Sequence, residues 1–150
     1  MILFQSKSFA ELSINELYSI LKLRIEVFVV EQNCPYQDCD DKDLLSVHVL
    51  GYDNNQLVSY CRIIPTNISY SNYCSIGRVL TKNSHRKMNI GKDLMNFAIN
   101  FCKSNYIESI KISAQAYLEK FYTELGFIAI SELYLEDNIP HIGMIYGVRS

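Results

Sequence analysis

The sequence predicts an α/β fold: a mixed sheet with helices on both faces. Three observations lead to it. Apolar residues recur at helical steps of three and four in three separate stretches. Short apolar or alternating runs, bounded by turn residues, lie before, between and after those stretches. The resulting order, roughly β, α (in two pieces), β, β, β, α, β, α, β, β, mixes the two periods along the chain. The 150 residues suit one domain with one core, residues 1–150, and no linker, repeat or low-complexity tract divides them.

Residues 1–8 read as a short first strand. Ser13-Ile14-Asn15-Glu16 is a capping box that opens a helix. Ile14, Leu17, Leu21, Ile25 and Phe28 form its apolar stripe, with a break expected near Lys22–Arg24. Asn33-Cys34-Pro35 ends it, because the residue before proline avoids the helical region. Residues 46–52 and 56–65 read as a hairpin turned at Asp53-Asn54-Asn55. A polar loop, 67–72, leads to a third clear strand, Cys74–Thr81. The next helix carries Ile90, Leu94, Phe97, Ala98, Phe101 and Cys102 on one stripe. Ser109–Gln115 alternates as a strand, with Ile110, Ile112 and Ala114 on one face. Leu118, Phe121, Tyr122 and Leu125 then form a helical stripe that Gly126 would close in a left-handed conformation. Phe127–Ser131 and Ile142–Val148 read as the last strands.

Composition removes several classes of function. A net charge of −2 argues against a general nucleic-acid binder, whose affinity rests on positive surface. Five cysteines, an odd count without dense spacing, do not form a secreted disulfide framework. The N-terminus has no signal-peptide pattern, and no apolar run approaches the ~18 residues of a membrane span. A cytoplasmic protein with reduced thiols and no membrane partner is the expectation.

Chemistry concentrates in Ile76–Lys92. A strand runs into a short loop and a helix start. Lys82, Arg86, Lys87 and Lys92 fall there with no acidic residue among them. Unpaired amides of a first helical turn, the helix dipole and curled loop amides together make an anion site. Gly91 would let the backbone approach a ligand. Solvated lysines and an ordinary turn glycine explain the same spacing. Neither the P-loop nor the dinucleotide pattern is present.

Arg86-Lys87-Met88-Asn89-Ile90-Gly91 resembles the acyl-CoA motif [RQ]-x-x-G-x-[GA] of the GNAT superfamily of N-acetyltransferases, with Asn89 in place of the first glycine. Asparagine tolerates the left-handed conformation better than most residues. The blocks LRIEVFVVEQNCPYQDCDDKD, IGRV, AQAYLEKFYTELGF and EDNIPHIGM resemble, in order, the ElaA-like branch of that superfamily. The resemblance implies a sheet of six or seven strands splayed at its centre. It implies acetyl-CoA as co-substrate, no metal, and direct attack by a small-molecule or peptide amine in a ternary complex. Pantetheine would pair with Val79, Leu80 and Thr81. Pyrophosphate would sit on Arg86, Lys87, Met88, Asn89, Ile90, Gly91 and Lys92, with Gln115 near the cofactor.

By the same resemblance Tyr122 is the acid that protonates the leaving thiolate, which suits a phenol in a dry site. A core tyrosine would occupy the same stripe. The Val79 amide would face the oxyanion. Some relatives carry a glutamate base on the strand that here is Cys74–Thr81, but this strand has no carboxylate. Glu31, Asp38, His48 and His141 are candidates on the amine side, each with a structural or solvated alternative. Asp38, Asp40, Asp41 and Asp43 form an acidic patch that could attract an amine or simply be solvated. Lys42 breaks a calcium-loop pattern there, and Cys34, Cys39 and His48 match no closed zinc site. A homodimer stays open. The alternative to an enzyme is a non-catalytic acyl-CoA sensor, which Asn89 and the missing carboxylate favour and Tyr122 disfavours.

Overall fold

A computed structural model describes residues 1–147. Val148, the end of the expected last strand, lies outside the described residues. The elements are β1 (Ile2–Ser8), α1 (Ile14–Arg24) continued by a π-helical segment (Ile25–Glu31), β2 (Val47–Asp53), β3 (Gln56–Ile64), β4 (Ser75–Thr81), α2 (Ile90–Asn105), β5 (Ile110–Gln115), α3 (Glu119–Leu125), β6 (Phe127–Ala129), β7 (Tyr134–Glu136) and β8 (Ile139–Tyr146).

The strands form two four-stranded antiparallel sheets, β1-β2-β3-β4 and β5-β8-β6, with β7 also on β8. Among the described residues, one parallel bridge, Cys74 to Ile110, joins the two sheets by backbone hydrogen bonds. Its bonds are Cys74 N to Ser109 O (3.2 Å) and Lys111 N to Cys74 O (2.9 Å). Beyond it β4 and β5 part. The central splay therefore holds, with eight strands rather than six or seven. The extra strand comes from Asp137 and Asn138, with φ of 51° and 62°, which turn β7 straight back into β8. Two left-handed residues in succession are hairpin chemistry, so the last strand begins at Ile139 and not at Ile142.

Ser13 and Glu16 make the capping box, with Glu16 N to Ser13 Oγ at 3.0 Å and Ser13 N to Glu16 Oε1 at 2.8 Å. The helix does not break near Arg24; it widens into π winding. Its buried face is Ile20, Leu23, Arg24 and Val27. Ile14 and Ile25 are exposed, so the apolar stripe runs about one position from where apolar spacing puts it. An arginine on the buried face is what hides it. Ile20, Leu23 and Val27 pack on Leu50, Tyr60 and Leu80, one face of the first sheet. The other face, with Val49, Cys61 and Ile63, shares one core with α2, α3 and Ile112, Ala114 and Met144 of the second sheet. Helices thus cover both faces of the first sheet. Gly126 closes α3 at φ 111°; a Cβ there would meet Tyr146 Cε2 at 2.9 Å.

The acidic stretch 38–43 is not a solvated loop. Asp38 bonds Arg24 Nε (2.9 Å) and Arg78 Nε (2.9 Å), and accepts from the Tyr36 hydroxyl (2.6 Å). Asp43 bonds Arg24 Nη1 (2.7 Å) and Arg62 Nη1 (3.0 Å), and Asp40 takes Arg62 through both oxygens at 2.7 and 2.6 Å. Three arginines, from α1, β3 and β4, thereby clamp one loop. Burial alone would raise the Asp43 carboxyl, but the bond from Arg24 and the charges of Arg24 and Arg62 bring it below its usual range. Burial likewise opposes ionisation of Asp40, yet Arg62 and Arg78 hold it at about 2.

Both carboxyls titrate lower folded than unfolded. Their contribution is complete above the ordinary carboxylate range and fades as pH falls toward about 2. Urea unfolding followed from pH 5 to pH 2 should therefore show stability falling, with a shallower slope in Asp43→Asn. Arg24→Met strands buried carboxylates and should cost about 3–5 kcal/mol at pH 7.

Candidate active site

The gap between β4 and β5 is the first part of the site. Past Cys74 the facing edges of the two strands have no partner strand, so backbone N–H and C=O groups line an internal slot. Across β3 the register runs from Arg62↔Gly77 to Tyr60↔Leu80. β4 therefore holds one extra residue, a bulge at Arg78–Val79. Arg78 sits there at φ 50°, and its side chain is fixed by Asp38 and by the Tyr36 ring, 5.3 Å from the guanidinium carbon. Leu80 points into the core against α1, so its part in a site can only be through backbone.

The second part is the loop into α2. Lys87 and Asn89 are left-handed, at φ 65° and 62°, with Met88 between them. The asparagine in the glycine place is thus in the conformation that glycine would favour. This alternation curls the backbone. The six successive amides of Lys87–Lys92 donate to no protein acceptor among the described residues. They open a 16-residue helix, whose dipole adds positive potential. Arg86 donates Nε to Thr81 O (3.0 Å) and Nη2 to Glu31 Oε1 (2.7 Å). Lys82 turns away to Glu26 (3.2 Å), while Lys87 and Lys92 have no ion pair among the described residues. A Cβ at Gly91 would meet Phe121 at 3.6 Å, ordinary contact, so packing alone does not demand glycine there.

Tyr122 is the third part. Its ring packs edge-on against Phe121 (5.0 Å) and Phe127 (5.7 Å). Its hydroxyl makes no hydrogen bond, yet the only fully enclosed, unpartnered side-chain polar atom among the described residues is Arg62 Nε. The Tyr122 hydroxyl therefore reaches accessible space. Burial pushes the phenol well above its usual range, which keeps it protonated and able to donate.

The end of the π-helical segment spans the open end of the gap. Glu31 holds Arg86 on the β4 side, and Gln32 exchanges amide bonds with Gln115 on the β5 side at 3.2 and 3.3 Å. Asp38 lies among the arginines, away from any open carboxylate role. His48 is buried; its Nε2 donates to Asp43 O (2.9 Å) and its Nδ1 accepts from Tyr60 (2.6 Å). Burial lowers its pKa, so it is a neutral core histidine. His141 pairs in register with Gln115. Sequence reasoning missed the Arg24–Arg62–Arg78 cluster and Glu136, which stands 3.5 Å from His141. The Asp137-Asn138 turn was the available signal for the latter.

Residues 18–147 match the description "Acetyltransferase (GNAT) domain". The chain belongs to the GNAT acetyltransferase family, whose members are acyl-CoA N-acyltransferases. It is 43% identical to the protein ElaA of Escherichia coli strain K12 over 147 residues, 96% of this chain and 95% of that one. The crystal structure of Escherichia coli ElaA superposes with a TM-score of 0.92 at 41% identity, covering 98% of this chain and 100% of that one. An acyl-CoA N-acyltransferase from Pseudomonas aeruginosa gives the same TM-score of 0.92 at 38% identity, covering 98% and 100%.

The left-handed φ of Asn89 makes a direct prediction. Asn89→Val should cost about 1–2 kcal/mol in chemical denaturation, while Asn89→Gly should leave stability within a few tenths.

Proposed function

We propose that this chain transfers an acetyl group from acetyl-CoA to the amine of a small molecule or peptide by direct attack in a ternary complex. The observation that carries this reading is the run of six unpaired amides from Lys87 to Lys92 at the mouth of an opened sheet. A pyrophosphate satisfies such a row, and Arg86 would trade the Glu31 carboxylate for phosphate oxygens. The pantetheine, itself built of amides, would pair with the free backbone edge at Val79–Thr81. The bulge at Arg78–Val79 turns backbone out of the ladder, which suits the Val79 amide to a tetrahedral oxyanion. Tyr122 donates its proton to the departing thiolate. The Pseudomonas aeruginosa relative, an acyl-CoA N-acyltransferase by name, supports the reaction class.

Acetyl-CoA at a hundred times its Kd should stabilise the protein by about 2.7 kcal/mol, raising Tm by several degrees. Arg86→Ala with Lys87→Ala should weaken binding at least about tenfold, since charge-assisted bonds contribute ~1.5–3 kcal/mol. No shift at millimolar acetyl-CoA overturns the reading.

Tyr122→Phe should lower kcat about a hundredfold in a free-CoA assay, with acetyl-CoA binding intact. Unchanged turnover removes Tyr122 from the mechanism. Tight acetyl-CoA binding by the wild type without transfer to any amine identifies a sensor instead.

A further inference from the structure

The second sheet has one face packed on α2 and α3, and its other face carries Lys111, Ser113, Gln115 and His141. Register brings Gln115 of β5, His141 of β8 and Tyr134 of β7 side by side across that face. Ser113 lies two residues before Gln115 and bonds both the Tyr134 hydroxyl and the Glu136 carboxylate, the latter at 3.2 Å. The row begins at the end of β5 that has parted from β4. The acyl group would lie beside it.

His141 is 7% exposed, and its ring stacks on Tyr134 with centroids 6.2 Å apart. Its Nδ1 lies 2.7 Å from Ile139 O. A carbonyl only accepts, so Nδ1 carries the hydrogen and the neutral ring keeps its lone pair on Nε2. Nε2 makes no hydrogen bond among the described residues, and the Glu136 carboxylate stands 3.5 Å away. With the ring neutral, two acceptors face each other there. A proton arriving at Nε2 converts that contact into an ion pair. Ser113 holds Glu136 in place for it. The other charged group of this face, Lys111, is parked over the rings of Tyr70 (4.7 Å) and Tyr73 (5.7 Å). Around His141 itself stand Glu136 and Tyr134 of β7 and the neutral Gln115 of β5. Cys34 is bonded to Asp137 O at 3.5 Å.

We propose that His141 is the base that takes the proton from the acceptor ammonium, with Glu136 as the positioning residue that holds the resulting imidazolium. This rests on the acyl-transfer reading above. Of the other candidates, Asp38 is bound among arginines and His48 is sealed in the core; Glu31, which Arg86 would release to phosphate, stands at the pyrophosphate loop on the β4 side. The step balances. The ammonium gives one proton to Nε2, and the freed lone pair forms the C–N bond at the thioester carbonyl. The C–S bond breaks, the thiolate takes the Tyr122 proton, and the phenolate recovers a proton from the new amide nitrogen. Imidazolium then releases its proton to solvent past Glu136, whose side chain is 51% exposed. A carboxylate and a tyrosine ring, Glu136 and Tyr134, beside the base favour an amine that arrives as a cation.

The test is kcat/KM from pH 6 to 9 for wild type, His141→Ala and Glu136→Gln, with spermidine, tyramine and a short peptide α-amine as probes. Acetyl-CoA affinity is measured in parallel as the control for folding. His141→Ala should fall about 10²–10³-fold near neutral pH with acetyl-CoA affinity unchanged. The deficit should shrink toward pH 9 most clearly for the peptide α-amine, whose pKa of about 8 leaves it neutral there, and added imidazole should restore part of the rate. Glu136→Gln, a surface change, should fall several-fold with the same pH trend, and it carries the test if His141→Ala does not fold. A wild type that transfers acetyl while both variants match it, or lose rate equally at every pH without imidazole rescue, overturns the base assignment alone. A wild type that binds acetyl-CoA but transfers to none of the probes overturns the acyl-transfer reading and the base together.

Discussion

The structure depends on the single bridge between Cys74 and Ile110. It joins two sheets at one end and leaves them free to diverge at the other. A continuous sheet would have satisfied the inner edges of β4 and β5, and there would be no slot. The two sheets would also drift apart without a shared core. α2 and α3 supply it: Leu94, Met95, Ala98 and Tyr122 pack with Cys61 and Ile63 of the first sheet and with Ile112, Ala114 and Phe127 of the second. The same helices that hold the arms together also carry the amides of Lys87–Lys92 and the phenol of Tyr122, which on the proposed reading serve the opening. Packing and chemistry are two consequences of one geometry.

The opened edge needs stiffening, because a strand without a second partner is easily distorted. The arginine cluster meets that need. Burying the guanidinium groups of Arg24 and Arg62 costs several kcal/mol each in desolvation, with Arg78 partly exposed, and such pairs are poor sources of net stability. Here they have a positional effect. Arg78 is held at a left-handed φ in the middle of β4, where an unaided non-glycine residue would relax. Its side chain is locked by Asp38, which Arg24 locks in turn from α1. The bulge is thereby tied to the helix that covers the first sheet. One carboxylate lost anywhere in the chain of bonds loosens β4 at the site.

Much of this was legible in the sequence. The capping box, the Asp53-Asn54-Asn55 hairpin turn, the Gly126 stop and the strand, loop and helix start around Arg86–Lys92 are local chemistry, and local chemistry is written in adjacent residues. Asn89 carried its left-handed conformation in its residue type. What was not legible depends on distant partners. Arg24 reads as a solvent-facing residue on any helical wheel, and only Asp38 and Asp43 folding back explain its burial. Tyr122 fits a core stripe and a catalytic position equally well, because both want an aromatic ring packed on Phe127. The two differ only in whether the hydroxyl finds a protein partner, which no spacing encodes. His48 and His141 are alike as letters, yet one has both nitrogens satisfied inside the core and the other has one left over.

That leftover nitrogen bears on why β4 has no carboxylate. The strand's bulge is held by Arg78, and Arg78 is held by Asp38 and Asp40. A glutamate placed on β4 would sit beside this cluster and compete for the same guanidinium groups. It would be neutralised by them rather than left basic, and it would pull on the bulge. The charge arrangement that stiffens β4 thus makes β4 a poor place for a base. On the proposed assignment the base comes from the other arm, from β8, where Ile139 O fixes the ring and Glu136 awaits the charge. The two arms of the opened sheet then divide the work: the first orders the thioester, and the second prepares the amine.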